Sequence, residues 1–132
     1  MADTIKFELV SPERKLASAD AESVTVPGMA GDMTAMPNHA PFLTTLRPGF
    51  VTVRGAAGEQ TYFVTGGFAE ISPETVSVLA EEAVEGAEVT RAWLDEKIEA
   101  FTAIAAEAPA ERAQAEALKL NDIKAVAERI SG

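Results

Sequence analysis

The sequence predicts an all-β N-terminal sandwich or flattened barrel, followed by an antiparallel hairpin of two α-helices. Six of the seven prolines and eight of the nine glycines lie within residues 1–87. In this part, runs that alternate apolar and polar residues are separated by turn signals about every ten residues. Residues 88–132 are rich in alanine, and their apolar residues recur at helical spacing. We therefore expect a β domain at 1–87 and a helical domain at 88–132.

Five runs in the first part have the period of two that is typical of strands. In residues 6–10, Phe7 and Leu9 share one face, and in the next run Val24 and Val26 do the same before a turn at Pro27-Gly28. Their β-branched content favours strands. Three further strands are expected at residues 49–53, 60–65 and 75–78.

The second part predicts two packed helices. The first carries an apolar stripe at spacings of 4, 3 and 4, formed by Leu94, Ile98, Phe101 and Ala105. Pro109 suits the first turn of a second helix, and a short connection at residues 106–110 makes the helices antiparallel neighbours. The stripe of the second helix comprises Ala113, Ala117, Leu120, Ile123, Ala127 and Ile130. Because alanine contributes little burial energy, we expect the hairpin to be marginally stable and able to open.

Composition excludes several classes of function. The formal net charge of −10 disfavours nucleic acid and anionic lipid as direct partners, since both are polyanions. Without cysteine the chain has no disulfide, thiolate metal site or cysteine nucleophile. No apolar run is long enough for a membrane span, and residues 1–6 do not have the pattern of a signal peptide. We expect a cytoplasmic protein with no direct lipid insertion.

The one histidine, His39, is the first candidate for chemistry. It lies between Pro37 and Pro41, and the sequence offers no nucleophile motif near it. A single histidine without cysteine also cannot build a usual transition-metal site, so we expect neither a catalytic residue nor a metal. Gly66-Gly67 follows a strand but lacks the rest of a phosphate-binding motif, which favours a β-bulge or a close backbone approach.

Two groups of residues have alternative interpretations. Asp32, Met33 and Met36 lie in a loop-like stretch, where the methionines either form adaptable contact surface or fill the core. Four bases on the second helix either form a solvated face balanced by nearby acids, which the pattern favours, or dock to an acidic partner. These bases are Arg112, Lys119, Lys124 and Arg129.

Several segments together resemble one known family. They are Phe-Glu-Leu-Val-Ser-Pro-Glu at 7–13, Val-Pro-Gly at 26–28, Pro-Asn-His-Ala-Pro at 37–41, Leu-Arg-Pro-Gly at 46–49, Val-Thr-Gly-Gly-Phe-Ala-Glu at 64–70 and Val-Leu-Ala at 78–80. In this order the segments resemble the epsilon subunit of bacterial F-type ATP synthase, over most of residues 6–85. The resemblance implies a non-catalytic central-stalk subunit without a cofactor, on the cytoplasmic face of the bacterial inner membrane.

The resemblance also implies partners and contact residues. The sandwich would bind the gamma subunit through Pro41, Phe42 and Thr44, and the c-subunit rotor ring through Asp32, Met33 and His39. The helices would extend toward the beta and alpha subunits of the catalytic head and restrain ATP hydrolysis, with the four bases of the second helix on the beta subunit.

One family motif is only partly present. Some members bind ATP through an Ile/Leu-Asp-x-x-Arg-Ala motif, and this chain has Ala-Glu-Val-Thr-Arg-Ala at 87–92. The resemblance therefore implies at most a weak nucleotide site at Glu88 and Arg91. An alternative to the stalk subunit is a stand-alone small-ligand or nucleotide-binding β domain with a helical tail.

Overall fold

The computed structural model describes residues 4–29, 31–38, 40–56 and 58–129, with the backbone alone at Arg129. The chain divides into two compact units, residues 1–86 and 87–132, one residue before the boundary expected from composition. The first unit is all β and the second is a pair of helices, so the predicted fold class is confirmed.

Within the described residues, ten strands form one continuous sheet that curls over a shared core. The strands are β1 (Ile5–Val10), β2 (Lys15–Ala21), β3 (Ser23–Gly28), β4 (Gly31–Ala35), β5 (Phe42–Leu46), β6 (Gly49–Gly55), β7 (Gly58–Val64), β8 (Gly67–Ile71), β9 (Thr75–Ala80) and β10 (Ala83–Glu85). Nine of them follow one another along the sheet in the order β10-β7-β6-β3-β5-β8-β9-β1-β2, and β4 pairs only with β3. All pairs are antiparallel except β1 with β9, which is parallel.

The core is made by the alternation that the sequence shows. Phe7, Leu9, Val24 and Val26 are buried, whereas the residues between them are partly or fully exposed. Each fully buried aliphatic or aromatic side chain stabilises the fold by ~1.5–3 kcal/mol. The inward faces of β6, β7, β8 and β9 add Val51, Val53, Tyr62, Val64, Ala69, Ile71, Val76 and Val78.

Two local expectations need correction. The Pro27-Gly28 pair is not a turn, because β3 runs through it and Gly28 pairs with Gly31 of β4. Asp32 and Met33 are likewise in a strand, β4, rather than in a loop. Both errors arise because glycine and proline normally indicate a turn, whereas here they are in a β-ladder that ends in a tight hairpin.

The expected close approach at the double glycine is confirmed. Gly66 and Gly67 both have positive φ, 150° and 129°. A Cβ atom on Gly67 would overlap the carbonyl oxygen of Leu79 in the neighbouring strand β9. Glycine is therefore required at this position for its conformation and for the space around it.

A short 3-10 turn (Gly86–Glu88) spans the boundary between the units, and the second unit then contains α1 (Arg91–Glu107) and α2 (Ala110–Arg129). Thr90 caps α1, with its Oγ1 accepting a hydrogen bond from the amide of Trp93 at 3.1 Å. The connection is shorter than expected, because only Ala108 and Pro109 separate the helices. Pro109 thus precedes α2 and its carbonyl accepts from the amide of Arg112.

The apolar stripes of the two helices are largely where the spacing predicts them. Leu94 of α1 is fully buried, and α2 buries Leu120, Ile123 and Ala127. Ala117 is exposed, contrary to expectation, and Ile130 is outside the described residues. In the described part of the chain, neither helix is long and apolar enough to cross a membrane.

Candidate interaction sites

The end of β3, the beginning of β4 and the end of β5 meet at one corner of the sheet. Pro27 pairs with Asp32 across the β3–β4 ladder, and the carbonyl of Pro27 accepts a hydrogen bond from the amide of Arg47 at 3.0 Å. The amide of Met29 donates to the carbonyl of Thr45, also at 3.0 Å. These backbone bonds place Asp32 and Arg47, fifteen positions apart in sequence, side by side.

Asp32 lies at the surface of this corner. Its side chain is 68% exposed, and its Oδ1 accepts a hydrogen bond from Nη2 of Arg47 at 3.3 Å. An exposed ion pair of this kind contributes only about 0–1 kcal/mol to stability, so the pair is not needed to hold the corner together. The carboxylate is therefore placed where a partner can reach it.

The methionines on either side of β4 and within it have different environments, and Met36 follows the end of β4 that is away from the corner. Met33 is half-buried and packs against the core, whereas Met36 is 58% exposed and Met29 is 57% exposed. Met33 therefore contributes to the core, whereas Met36 remains available as contact surface. His39 is outside the described residues, so its predicted place beside Asp32 stays a prediction.

A second group of candidates lies at the start of β5. Pro41 is exposed, Phe42 is 47% exposed and Thr44 is half-buried, with its Oγ1 donating to the carbonyl of Thr45 at 3.1 Å. Leu43, between them, is 66% exposed. Phe42 and Leu43 are consecutive residues of a strand and so point to opposite faces of the sheet, with Leu43 on the same face as Thr45.

Exposed apolar residues continue from β5 onto β8 and β9. The register places Thr45 beside Phe68, Phe68 beside Leu79, and Leu79 beside Val10. Phe68 and Leu79 are 48% and 45% exposed. They line a surface pocket of about 550 Å³ together with Val10, Ser11, Pro12, Gly67, Ala80 and Glu81.

Arg47, Leu43, Phe68 and Leu79 were not among the contact residues predicted from the sequence. Strand alternation offers a signal for Phe68, because the buried neighbours Ala69 and Ile71 require Phe68 and Glu70 to point outward. No comparable signal exists for Arg47, whose position beside Asp32 depends on the pairing of distant strands. The Nε atom of Arg47 is buried and has no hydrogen-bond partner among the described residues.

The bases of α2 do not form one uniform exposed face. Arg112 and Lys124 are exposed, but Lys119 is half-buried with its Nζ 5.3 Å from the ring centroid of Phe101 in α1. Lys119 thus contributes to helix packing through a cation–π contact, which makes it unlike the two exposed bases. The side chain of Arg129 is outside the described residues.

The residues of the weak nucleotide motif lie at the junction of the short turn and α1. Glu88 is exposed. Arg91, the first residue of α1, donates from Nε to Oδ1 of Asp95 at 3.1 Å and from Nη1 to the carbonyl of Ala127 at 2.8 Å. Both of these guanidinium nitrogens therefore already have protein partners.

The described part of the chain contains no group of three or more histidine or acidic side chains that could hold a metal ion. One buried titratable group is Tyr62, whose hydroxyl donates to Oε1 of Gln60 at 2.9 Å. Burial, and then the nearby charge of Glu85, raises the pKa of Tyr62 above its ordinary value of 10.0. A phenol kept neutral in this way is a packing residue with a polar tip.

Residues 4–86 match the family model of the ATP synthase delta/epsilon chain β-sandwich domain. Sequence relatives extend the match to the helices. An ATP synthase epsilon chain from Rhodobacter capsulatus is 50% identical over 99% of this chain and 99% of its own length. Another, from Ruegeria sp. strain TM1040, is 62% identical over 75% of this chain and 72% of its own.

The fold also matches a solved structure. A chain of the Euglena gracilis mitochondrial ATP synthase, in the complex of OSCP, F1 and c-ring, superimposes with a TM-score of 0.71. The match covers 94% of this chain and 81% of the other, at 20% sequence identity. At that identity the similarity concerns the fold, and the family assignment depends on the sequence matches.

Proposed function

We propose that this chain, which belongs to the ATP synthase epsilon chain family, is a rotor subunit of an F-type ATP synthase and links the gamma subunit to the membrane rotor ring. It does so without catalysing a reaction itself, from the cytoplasmic face of the bacterial inner membrane. Its α-helices restrain ATP hydrolysis by the assembled enzyme. The observation that carries the proposal is the match at 50% identity to an epsilon chain over both units.

Gamma binds the sandwich along β5. This assignment is supported by the exposure of Leu43 and by the exposed apolar residues Phe68 and Leu79, which lie on the same face of the neighbouring strands. Pro41 and Phe42 are also exposed, but Phe42 points to the other face. Apolar side chains in neighbouring strands provide a contact area that excludes water, which is the main source of affinity at such interfaces.

The rotor ring binds the corner that carries Asp32, through Asp32, Met33 and the predicted contact residue His39. The exposure of Asp32 supports this role, since a buried carboxylate could not serve as a contact. The exposed methionine of the corner, Met29, allows adaptable packing against loops of a ring that turns with the stalk.

A charge reversal at Asp32 tests the rotor-ring contact. Asp32→Arg places two cations side by side at the corner, and we expect proton-driven ATP synthesis in reconstituted vesicles to fall while the isolated protein stays folded. Glu59→Arg is the matched control, because Glu59 is likewise an exposed strand acid paired with an arginine, Arg54, at 2.8 Å. Equal synthesis rates in the two variants would remove Asp32 from the contact.

The helices act on the beta and alpha subunits when α2 leaves α1. Arg112 and Lys124 are exposed and can meet acidic segments, while Lys119 becomes available once its contact with Phe101 is broken. Each exposed charge pair contributes about 0–1 kcal/mol, so several bases have to act together. Arg129 is proposed as the fourth.

Removing the helices tests the restraint on hydrolysis. Enzyme assembled with residues 1–87 alone should hydrolyse ATP faster than enzyme with the full chain. The double variant Arg112→Ala/Lys124→Ala should show part of the increase, because it removes bases that take no described part in helix packing. Equal hydrolysis rates with the full and truncated chains, across salt concentrations, would show that the helices only brace the stalk.

A nucleotide site at Glu88 and Arg91 is not part of the proposal. Arg91 is engaged by Asp95 and Ala127, and Ala87 and Glu88 replace the aliphatic and aspartate residues of the family motif. The family assignment likewise favours the stalk subunit over a stand-alone ligand-binding domain.

A further inference from the structure

We propose that Arg91 closes the helical hairpin by holding the carbonyl end of α2 against the beginning of α1. Its Nη1 donates to the carbonyl of Ala127 at 2.8 Å, and its Nε donates to Oδ1 of Asp95 at 3.1 Å. One planar guanidinium therefore joins the two helices and is oriented by a carboxylate one turn further along α1. This inference concerns the hairpin itself and does not depend on what the open helices do in the enzyme.

Helix electrostatics explain why an arginine at this position needs a partner outside α1. The N-terminus of a helix has a partial positive charge, so a cation at the first residue of α1 is unfavourable there. The carbonyl end of α2 has a partial negative charge, and Ala127 lies in the last described turn of that helix. In the antiparallel hairpin these two ends meet, and Arg91 satisfies both requirements.

The contact between Arg91 and Ala127 lies where it can oppose separation of the two helices. At one end of the hairpin, Ala108 and Pro109 join the helices covalently. Arg91 and Ala127 are at the other end, where the helices can separate first. Between them, Lys119 packs over the ring of Phe101. The described contacts thus hold the hairpin at its middle and its free end.

Hydrogen exchange in the full chain measures this closure. Exchange of backbone amides reports local opening, region by region. Arg91→Ala should raise the exchange rate of amides 124–129 about three- to tenfold, as expected for loss of a partly exposed, charge-assisted hydrogen bond. Arg91→Lys keeps the charge but not the fork of donors, so it should raise the rate by a smaller factor.

The matched control is Arg112→Ala. Arg112 is an exposed arginine at the connected end of the hairpin, so the change in net charge is identical. It should leave the exchange of amides 124–129 unchanged. If Arg91→Ala melts both helices, as circular dichroism would reveal, the comparison of Arg91→Lys with Arg112→Ala decides instead. Exchange at 124–129 that is no faster in the Arg91 variants than in the Arg112 variant would overturn the proposal.

Discussion

At the scale of single residues, the double glycine gives the clearest constraint. Gly67 has a φ of 129°, and a side chain there would collide with the backbone of β9. Gly67→Ala should therefore lower the free energy of unfolding of the sandwich by about 2–4 kcal/mol, from backbone strain and overpacking together. Urea denaturation of the full chain, followed by far-UV circular dichroism, measures the loss.

Gly58 provides the control for that measurement. Its φ of 114° is also positive, but nothing lies within 4 Å of where a Cβ atom would be. Gly58→Ala should cost only the conformational strain, about 1 kcal/mol. Equal losses in the two variants would show that the approach of Gly67 to β9 does not matter to stability.

The raised pKa of Tyr62 predicts how the stability of the fold changes at alkaline pH. Because its pKa in the folded protein is above 10.0, the unfolded chain releases the phenolic proton first as pH rises. The stability associated with the neutral phenol is complete below pH 10.0 and is lost as pH rises through the higher folded pKa. Since the chain has one tyrosine, phenolate absorbance reports this residue alone.

The alkaline titration should therefore have its midpoint above 10.0 in the folded protein and near 10.0 in urea. Tyr62→Phe should weaken the alkaline loss of stability. A folded-state midpoint at or below the value in urea would contradict the burial of the Tyr62 hydroxyl.

At the scale of elements, five of the ten described strands were predicted, namely β1, β3, β6, β7 and β9, whereas β2, β4, β5, β8 and β10 were not. The runs around Phe7 and Val24 were predicted because every second side chain enters the core. The strand β2 (Lys15–Ala21) was missed, because it is at the end of the sheet and its small or polar residues are mostly exposed. Edge strands bury less and therefore show less periodicity.

The candidate site was less accessible to sequence reasoning than the fold. Asp32 was expected in a loop-like stretch, and its role as a rotor-ring contact came from the family resemblance; its place in a strand was not expected. Its neighbour Arg47 becomes visible only when β3 is paired with both β4 and β5. Such a site depends on the register of strands that are distant in sequence, and local periodicity contains no information about register.

The burial of leucine side chains in the helices predicts which substitutions destabilise the helical unit. Leu94 is fully buried whereas Leu118 is 52% exposed. Leu94→Ala should destabilise the helical unit by about 2–5 kcal/mol, the usual cost of removing a buried leucine side chain, while Leu118→Ala should change stability by about 0.5 kcal/mol or less.

The chain has a single tryptophan, Trp93, which lies in α1 next to Leu94. Its fluorescence therefore follows unfolding of the helical unit separately from the sandwich. Similar shifts in the urea midpoint for the Leu94 and Leu118 variants would contradict the packing described for the helices.

At the scale of the whole molecule, the proposed function gives the two units separate tasks. The sandwich contains every strand of the described residues and the corner and β5 surfaces proposed for the rotor ring and gamma. The helices carry the exposed bases and the proposed closure contact of Arg91. Under this proposal, the sandwich binds the stalk and the helices change state.

Binding to gamma, measured for the full chain and for residues 1–87 side by side, tests this division most directly. The central claim predicts that the fragment folds, as judged by circular dichroism, and binds purified gamma with an affinity close to that of the full chain. Leu43→Asp/Phe68→Asp, which places two charges on the apolar surface, should abolish binding of both chains. A folded fragment that does not bind gamma, or binding that needs residues 88–132, would contradict the account.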